Sequence, residues 1–131
     1  MPRLAAAIIV LEKSPRWEAE LKRRFDPHEL LVRPCRTVRD VKDLSSKAPG
    51  SVVVADLSIG PADVLRLLET LLQQRSGCHP IVIGAADASP LEWPARDLGA
   101  QVWDTDRVTG AELSEHCRRL LNRSPVRINP A

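Results

Sequence analysis

The sequence predicts an α/β domain: a five-stranded parallel sheet with helices on both faces. Short, continuously apolar runs alternate with longer segments of helical period, which is how strands buried on both faces and their crossover helices read. Turn and cap residues punctuate every change from one to the other. At 131 residues the chain is long enough for one sizeable core and too short for two.

The strands are expected at residues 5–11 (AAAIIVL), 30–32 (LLV), 52–55 (VVVA), 81–83 (IVI) and 101–103 (QVW). Ser14-Pro15 reads as an N-cap followed by proline at the first helical position, after which Trp17, Leu21 and Phe25 share a face. Thr37 opens the second helix, with Val38, Val41 and Leu44 inward and Pro49-Gly50 as its stop. Pro61 opens the third, whose stripe is Val64, Leu65, Leu68, Leu71 and Leu72. Ser89-Pro90 marks the start of the fourth, but Pro94 would clash with the carbonyl of Pro90, so this helix must kink or begin late. Thr109 and Glu112 form a capping box for the fifth, with Leu113, Cys117, Leu120 and Leu121 inward.

Composition excludes several classes. Charged residues at 27% and apolar ones at 44% are ordinary for a soluble globular domain. A net charge of +2 falls short of a dedicated nucleic-acid binder, and there is no recognition helix or aromatic platform. No apolar run approaches the roughly 20 residues of a membrane span. The "LAAAIIVL" stretch runs into Glu12-Lys13 without a cleavage site and reads as a buried strand. Three irregularly spaced cysteines point to a reducing, cytoplasmic setting. There is no phosphate-binding loop, GxGxxG or GxSxG.

The third strand runs straight into Asp56. In an open parallel sheet the functional crevice lies at the carboxyl ends of the strands, so Asp56 stands where the sheet opens to solvent.

From about residue 5 to 122 the chain resembles the receiver domain of bacterial response regulators, the phosphoacceptor modules of two-component phosphorelays. "DLSIGPADVLRLLETL" is similar to the family's aspartate, short loop and third helix; "LEKSP" to the acid pair before the first helix. "PIVIGAA" resembles the fourth strand, and "GAQVWDTD" the Gly-Ala and fifth strand. The resemblance implies a flavodoxin-like, doubly wound sheet of order 2-1-3-4-5, with Asp56 as the phosphoacceptor-equivalent. In working receivers the acid pair and the aspartate hold Mg²⁺, a hard cation that wants oxygen ligands. The metal and the family's lysine then neutralise the phosphoryl oxygens.

Those auxiliary positions are altered here. The acid pair has become Glu12-Lys13, the fourth-strand hydroxyl falls on Ala85, the fifth-strand lysine on Asp106 and the following proline on Arg107. A lysine has moved from one position to the other, which suggests a Lys13 ammonium bridging Asp56 and Asp106 in place of the metal; the alternative is a Lys13 that leans into solvent. A one-residue slip of the fifth strand would bring Thr105 or Arg107 to the crevice instead. Trp103 stands at the family's switch-aromatic position. With no hydroxyl at Ala85, the expectation is a Trp103 held inward in one locked state, against the plainer reading of a core or rim residue. The family's usual partner surface, on the fourth helix, fifth strand and fifth helix, would include Trp93 and Arg107.

Cys78-His79 and His116-Cys117 lack the short fixed spacing of structural zinc sites, and Cys35 reads as another core thiol. His28 after Pro27 reads as solvent-exposed. Arg118, Arg119, Arg123 and Arg127 form a mild basic patch at a helix C-terminus. The expected organisation is a receiver-like domain over 1–123 and a flexible tail over 124–131. Its expected role is binding proteins, a histidine kinase or another signalling protein among them, without conventional aspartyl phosphorylation and without a cofactor. Two alternatives stay open. One is phosphorylation of Asp56 through an atypical Mg²⁺ site of Glu12, Asp56 and the Ser58 carbonyl. The other is a small enzyme or ligand binder using Glu12, Asp56 and Asp106, one of which would have to keep its proton.

Overall fold

The apolar runs become five strands in the computed structural model, which describes residues 4–85 and 92–123. They are β1 (Ile8–Leu11), β2 (Val32–Cys35), β3 (Val52–Asp56), β4 (His79–Gly84) and β5 (Gln101–Asp104). All neighbouring pairs are parallel, in the order β2-β1-β3-β4-β5. Between them run α1 (Trp17–Arg24), α2 (Val38–Lys47), α3 (Pro61–Gln74), α4 (Glu92–Asp97) and α5 (Gly110–Arg123).

Strand alternation builds the two halves of the core. Ile8, Val10, Val52, Val54, Ile81 and Ile83 face Trp17 and Leu21 of α1 and Leu113, Cys117 and Leu121 of α5. Ile9, Leu11, Val53, Ala55 and Val82 face Val41 of α2, Val64, Leu67 and Leu68 of α3, and Ala95 of α4. This explains the unbroken apolar runs: each central strand feeds both faces.

Several boundaries differ from the sequence expectation, each for a local reason. β1 starts at Ile8, leaving Ala5 exposed. β2 begins two residues late, since Ile8 pairs with Val32, and Leu31 is left exposed. Pro34 is tolerated in β2 because an edge strand need not donate on its outer side. In α3 the inward turn is carried by Leu67, and Leu72 points to solvent at 59% exposure, because a 3.6-residue period cannot keep both on one face. α4 is described over Glu92–Asp97 and includes Pro94; where it starts relative to Ser89-Pro90 falls outside the described residues. Ser89-Pro90, the Trp93 side chain and the 124–131 tail lie outside the described residues. Thr37 caps α2 by accepting from the Asp40 amide, and Pro61 stands at the first position of α3. Thr109 accepts from the Glu112 amide and donates its hydroxyl to the Glu112 carboxylate. No helix among the described residues is long and apolar enough to cross a membrane.

His79 opens β4 half-buried, its Nε2 enclosed without a hydrogen-bond partner among the described residues. Burial pushes its pKa below the ordinary value of 6.5. Protonation therefore favours the unfolded chain. Stability is full above the unfolded-state value and declines as pH falls through it toward the folded-state value. Urea unfolding across this range is expected to show that decline, and His79→Leu to flatten it.

Candidate functional site

Strand register gathers the predicted positions at one edge of the sheet. Leu11 pairs with Ala55, Asp56 with Ile83, and Gly84 with Asp104, so residues 12–13, 56–58, 85 and 105–107 leave neighbouring strand ends. Asp56 is half-buried, and its Oδ1 accepts from the Ser58 amide at 2.9 Å, capping a single 3-10 turn over Leu57–Ile59. Gly60 then turns the chain into α3 with φ of 133°, a conformation that side chains disfavour.

Leu57 folds back onto the end of β4. A Cβ built on Gly84 would lie 2.3 Å from the Leu57 Cδ1, so a side chain at 84 would force the leucine to move. Ala85, next along, is exposed and has no hydroxyl to donate.

Glu12 has a different task from the one its position suggests. Its side chain is turned inward at 6% exposure. The two carboxylate oxygens accept from the backbone amides of Arg16, Trp17 and Glu18, at 3.2, 3.1 and 2.9 Å. These are amides that the start of α1 leaves without intrahelical partners. The expected Ser14-Pro15 cap is not used: α1 begins at Trp17, and Arg16 at the cap position offers no side-chain bond. A carboxylate at the positive end of a helix, holding three donors, is favoured by both dipole and hydrogen bonding.

Lys13 does not bridge Asp56 and Asp106. It is exposed, makes no ion pair among the described residues, and lines a cleft with Pro34, Cys35 and Arg36 on the β2 side of β1. With Glu12 turned in to the helix, the adjacent residue is turned out and away from β3. Asp106 sits exposed in a turn where its amide donates to the Asp104 carboxylate at 2.9 Å. The slipped register is not adopted either. Ile83 pairs with Trp103, the Thr105 amide continues the ladder to the Gly84 carbonyl, and Arg107 leans 3.9 Å from Asp104.

Arg16 is the cation the sequence reading passed over. Its guanidinium stacks over Trp17 at 4.4 Å and reaches the Thr105 carbonyl at 3.4 Å, spanning from the β1–α1 loop to the β5–α5 loop. An arginine immediately ahead of the helix, beside a tryptophan, was the available signal.

Trp103 is neither locked inward nor turned out. It is partly buried, packed against the α1–α5 half of the core, with its ring 5.0 Å from His116 of α5. The plainer reading, a rim residue, is the one observed. With Ala111, Glu112, Glu115, His116 and Arg119 it lines a shallow depression over β5 and α5. Arg118 is taken up over the Phe25 ring at 4.8 Å, and Arg119 lies 3.8 Å from Glu115.

A magnesium site of the receiver pattern does not fit these residues. Glu12 is buried with three of its acceptor positions taken by amides, and Lys13 supplies a positive charge where a second acid is needed. No three His, Cys, Asp or Glu side chains among the described residues are grouped to hold a metal ion. Nor do the buried thiols suggest chemistry: burial pushes Cys35 up to about 11 and Cys117 up to about 12, keeping both protonated at neutral pH. Cys78 is only partly buried, with the Ser76 hydroxyl at 3.3 Å, and His28 is exposed as expected.

The fold defined by this sheet is that of response-regulator receiver domains. A response regulator from Thermotoga maritima matches at a TM-score of 0.70 and 16% identity, over 91% of this chain and 99% of that one. A CheY-like receiver domain protein from Methanospirillum hungatei matches at 0.74 and 14%, over 92% and 97%. Full-length FixJ from B. japonicum matches at 0.74 and 17%, over 92% of this chain and 60% of its own. By sequence, no protein-family model and no curated protein matches. The likeness is one of fold.

Two substitutions test this geometry. Glu12→Ala is expected to cost about 1–3 kcal/mol in equilibrium unfolding, because buried amides lose an ionised acceptor. Gly84→Val is expected to cost about 1–3 kcal/mol through overpacking against Leu57, and Leu57→Ala in the same chain to recover part of it.

Proposed function

We propose that this domain is a receiver-like signalling module that acts by binding proteins and takes up no phosphoryl group through conventional aspartyl chemistry. The observation that supports this reading most directly is the commitment of Glu12. Phosphoryl transfer to a carboxylate depends on positioning and on neutralising the oxygens of the transferred group. Of the groups that do this in receivers, the first acid caps α1, the second is Lys13, the hydroxyl position is Ala85 and the lysine position is Asp106. Asp56, with one oxygen holding the Ser58 amide, is left as a turn residue.

A binding role draws on the β5–α5 side. The depression around Trp103 and His116 joins a large amphipathic ring to the charges of Glu112, Glu115 and Arg119, a mixture typical of anchoring sites. Arg107 is a strongly exposed cation beside it, at 88% for its side chain. Trp93, on α4, belongs to the same proposed surface.

The test is to incubate the protein with Mg²⁺ and a small acyl phosphate, then weigh it intact. An unchanged mass is the expected result. A phosphoryl adduct that disappears in Asp56→Asn would overturn the reading in favour of an atypical phosphoacceptor.

A further inference from the structure

We infer that the cleft at the carboxyl ends of β1 and β2 is a binding site for a phosphate monoester, contacted by Lys13 and Arg36. The cleft, of about 270 Å³, is walled by Pro15 and Pro34 and carries four charged residues: Glu12, Lys13, Glu18 and Arg36. It lies on the far side of β1 from β3, and so is separate from the crevice at Asp56.

The four formal charges sum to zero, but the acids and the bases are not paired with one another. Glu12 is engaged by three amides of α1, and the Glu18 carboxylate is held by Lys22 at 2.8 Å. Both acids are thus already engaged, Glu12 by hydrogen bonds that leave its charge in place and Glu18 by an ion pair to Lys22. Lys13 and Arg36 are exposed, and neither pairs with an acid among the described residues. Two cations without an ion-pair partner among the described residues therefore face one concavity.

The chemistry of a ligand follows from that pair. A single carboxylate offers only two acceptor oxygens to the unpaired donors of Lys13 and Arg36. A phosphate monoester carries between one and two negative charges near neutral pH, with three acceptor oxygens, and can satisfy both. Arg36 offers a planar fork for two oxygens and Lys13 a mobile point charge for the third. Proline walls contribute no amide donors and little freedom to collapse into the space. Cys35 at the floor is a protonated thiol, pushed up to about 11 by burial, so it adds a neutral surface and no competing anion. Asp40 and Arg33 act on that thiol with opposite sign and do not line the cleft.

The measurement is a titration of the ¹⁵N-labelled protein with inorganic phosphate at constant ionic strength, followed by amide shifts, with acetate and chloride as comparison anions. Saturable shifts centred on Lys13, Arg36 and their neighbours are expected for phosphate, with acetate weaker. Lys13→Gln combined with Arg36→Gln is expected to weaken binding by about tenfold or more, since each removes a charge-assisted contact. Arg66→Gln, on an exposed face of α3, should bind as the parent does. A phosphoserine peptide run in parallel separates the sources: tighter binding than inorganic phosphate indicates a phosphorylated protein, and equal binding a free phosphate ester. Shifts that fail to saturate, that match those from acetate, or that persist in the double variant would overturn the assignment.

Discussion

The start of α1 needs acceptors for its first amides, and Glu12 supplies them from the end of β1. Much of the site's character follows from that bond set. An acid spent on a helix terminus is not free to hold a cation, and its inward turn sends Lys13 outward to the β2 side. The sheet edge then lacks both the paired acids and the internal lysine bridge that their positions in the chain suggest. A helix cap and a metal ligand are competing uses of one carboxylate, and hydrogen-bond geometry favours the cap.

Beside Asp56 the chain packs on itself. Leu57 rests on Gly84, and Ala85 has nothing with which to grip an oxyanion. On the other side of the sheet, Trp103 is engaged with His116 of α5 and contributes to the α1–α5 half of the core. A ligand can shift a conformational equilibrium only through differential contacts with its two states. On the proposed reading, such contacts come from a bound protein at the β5–α5 surface and not from Asp56.

The fold was legible because its signals are local and repeated. Continuous apolar runs mark the central strands, and Thr37, Pro61 and Thr109 mark helix starts at their observed places. The edge strand β2 was displaced by two residues because its register comes from pairing with β1, a non-local fact. Site positions were legible as positions: Glu12, Asp56, Ala85 and Asp106 do leave neighbouring strand ends. Their partners were not. Whether Lys13 reached Asp56 depended on which way Glu12 turned, and that depended on amides four to six residues ahead. The Arg16 stack on Trp17 is local, but its reach to Thr105 joins segments far apart in the chain.

The most direct measurement is a Mg²⁺ titration read at the backbone amides of Arg16, Trp17 and Glu18, the three that Glu12 accepts. Because Mg²⁺ demands near-octahedral oxygen ligands, capture of Glu12 would re-aim its carboxylate against these amides and shift their resonances. The expected result is no saturable shift at any of the three through millimolar Mg²⁺. Saturable shifts at all three, moving together with Asp56, would contradict a Glu12 committed to the helix.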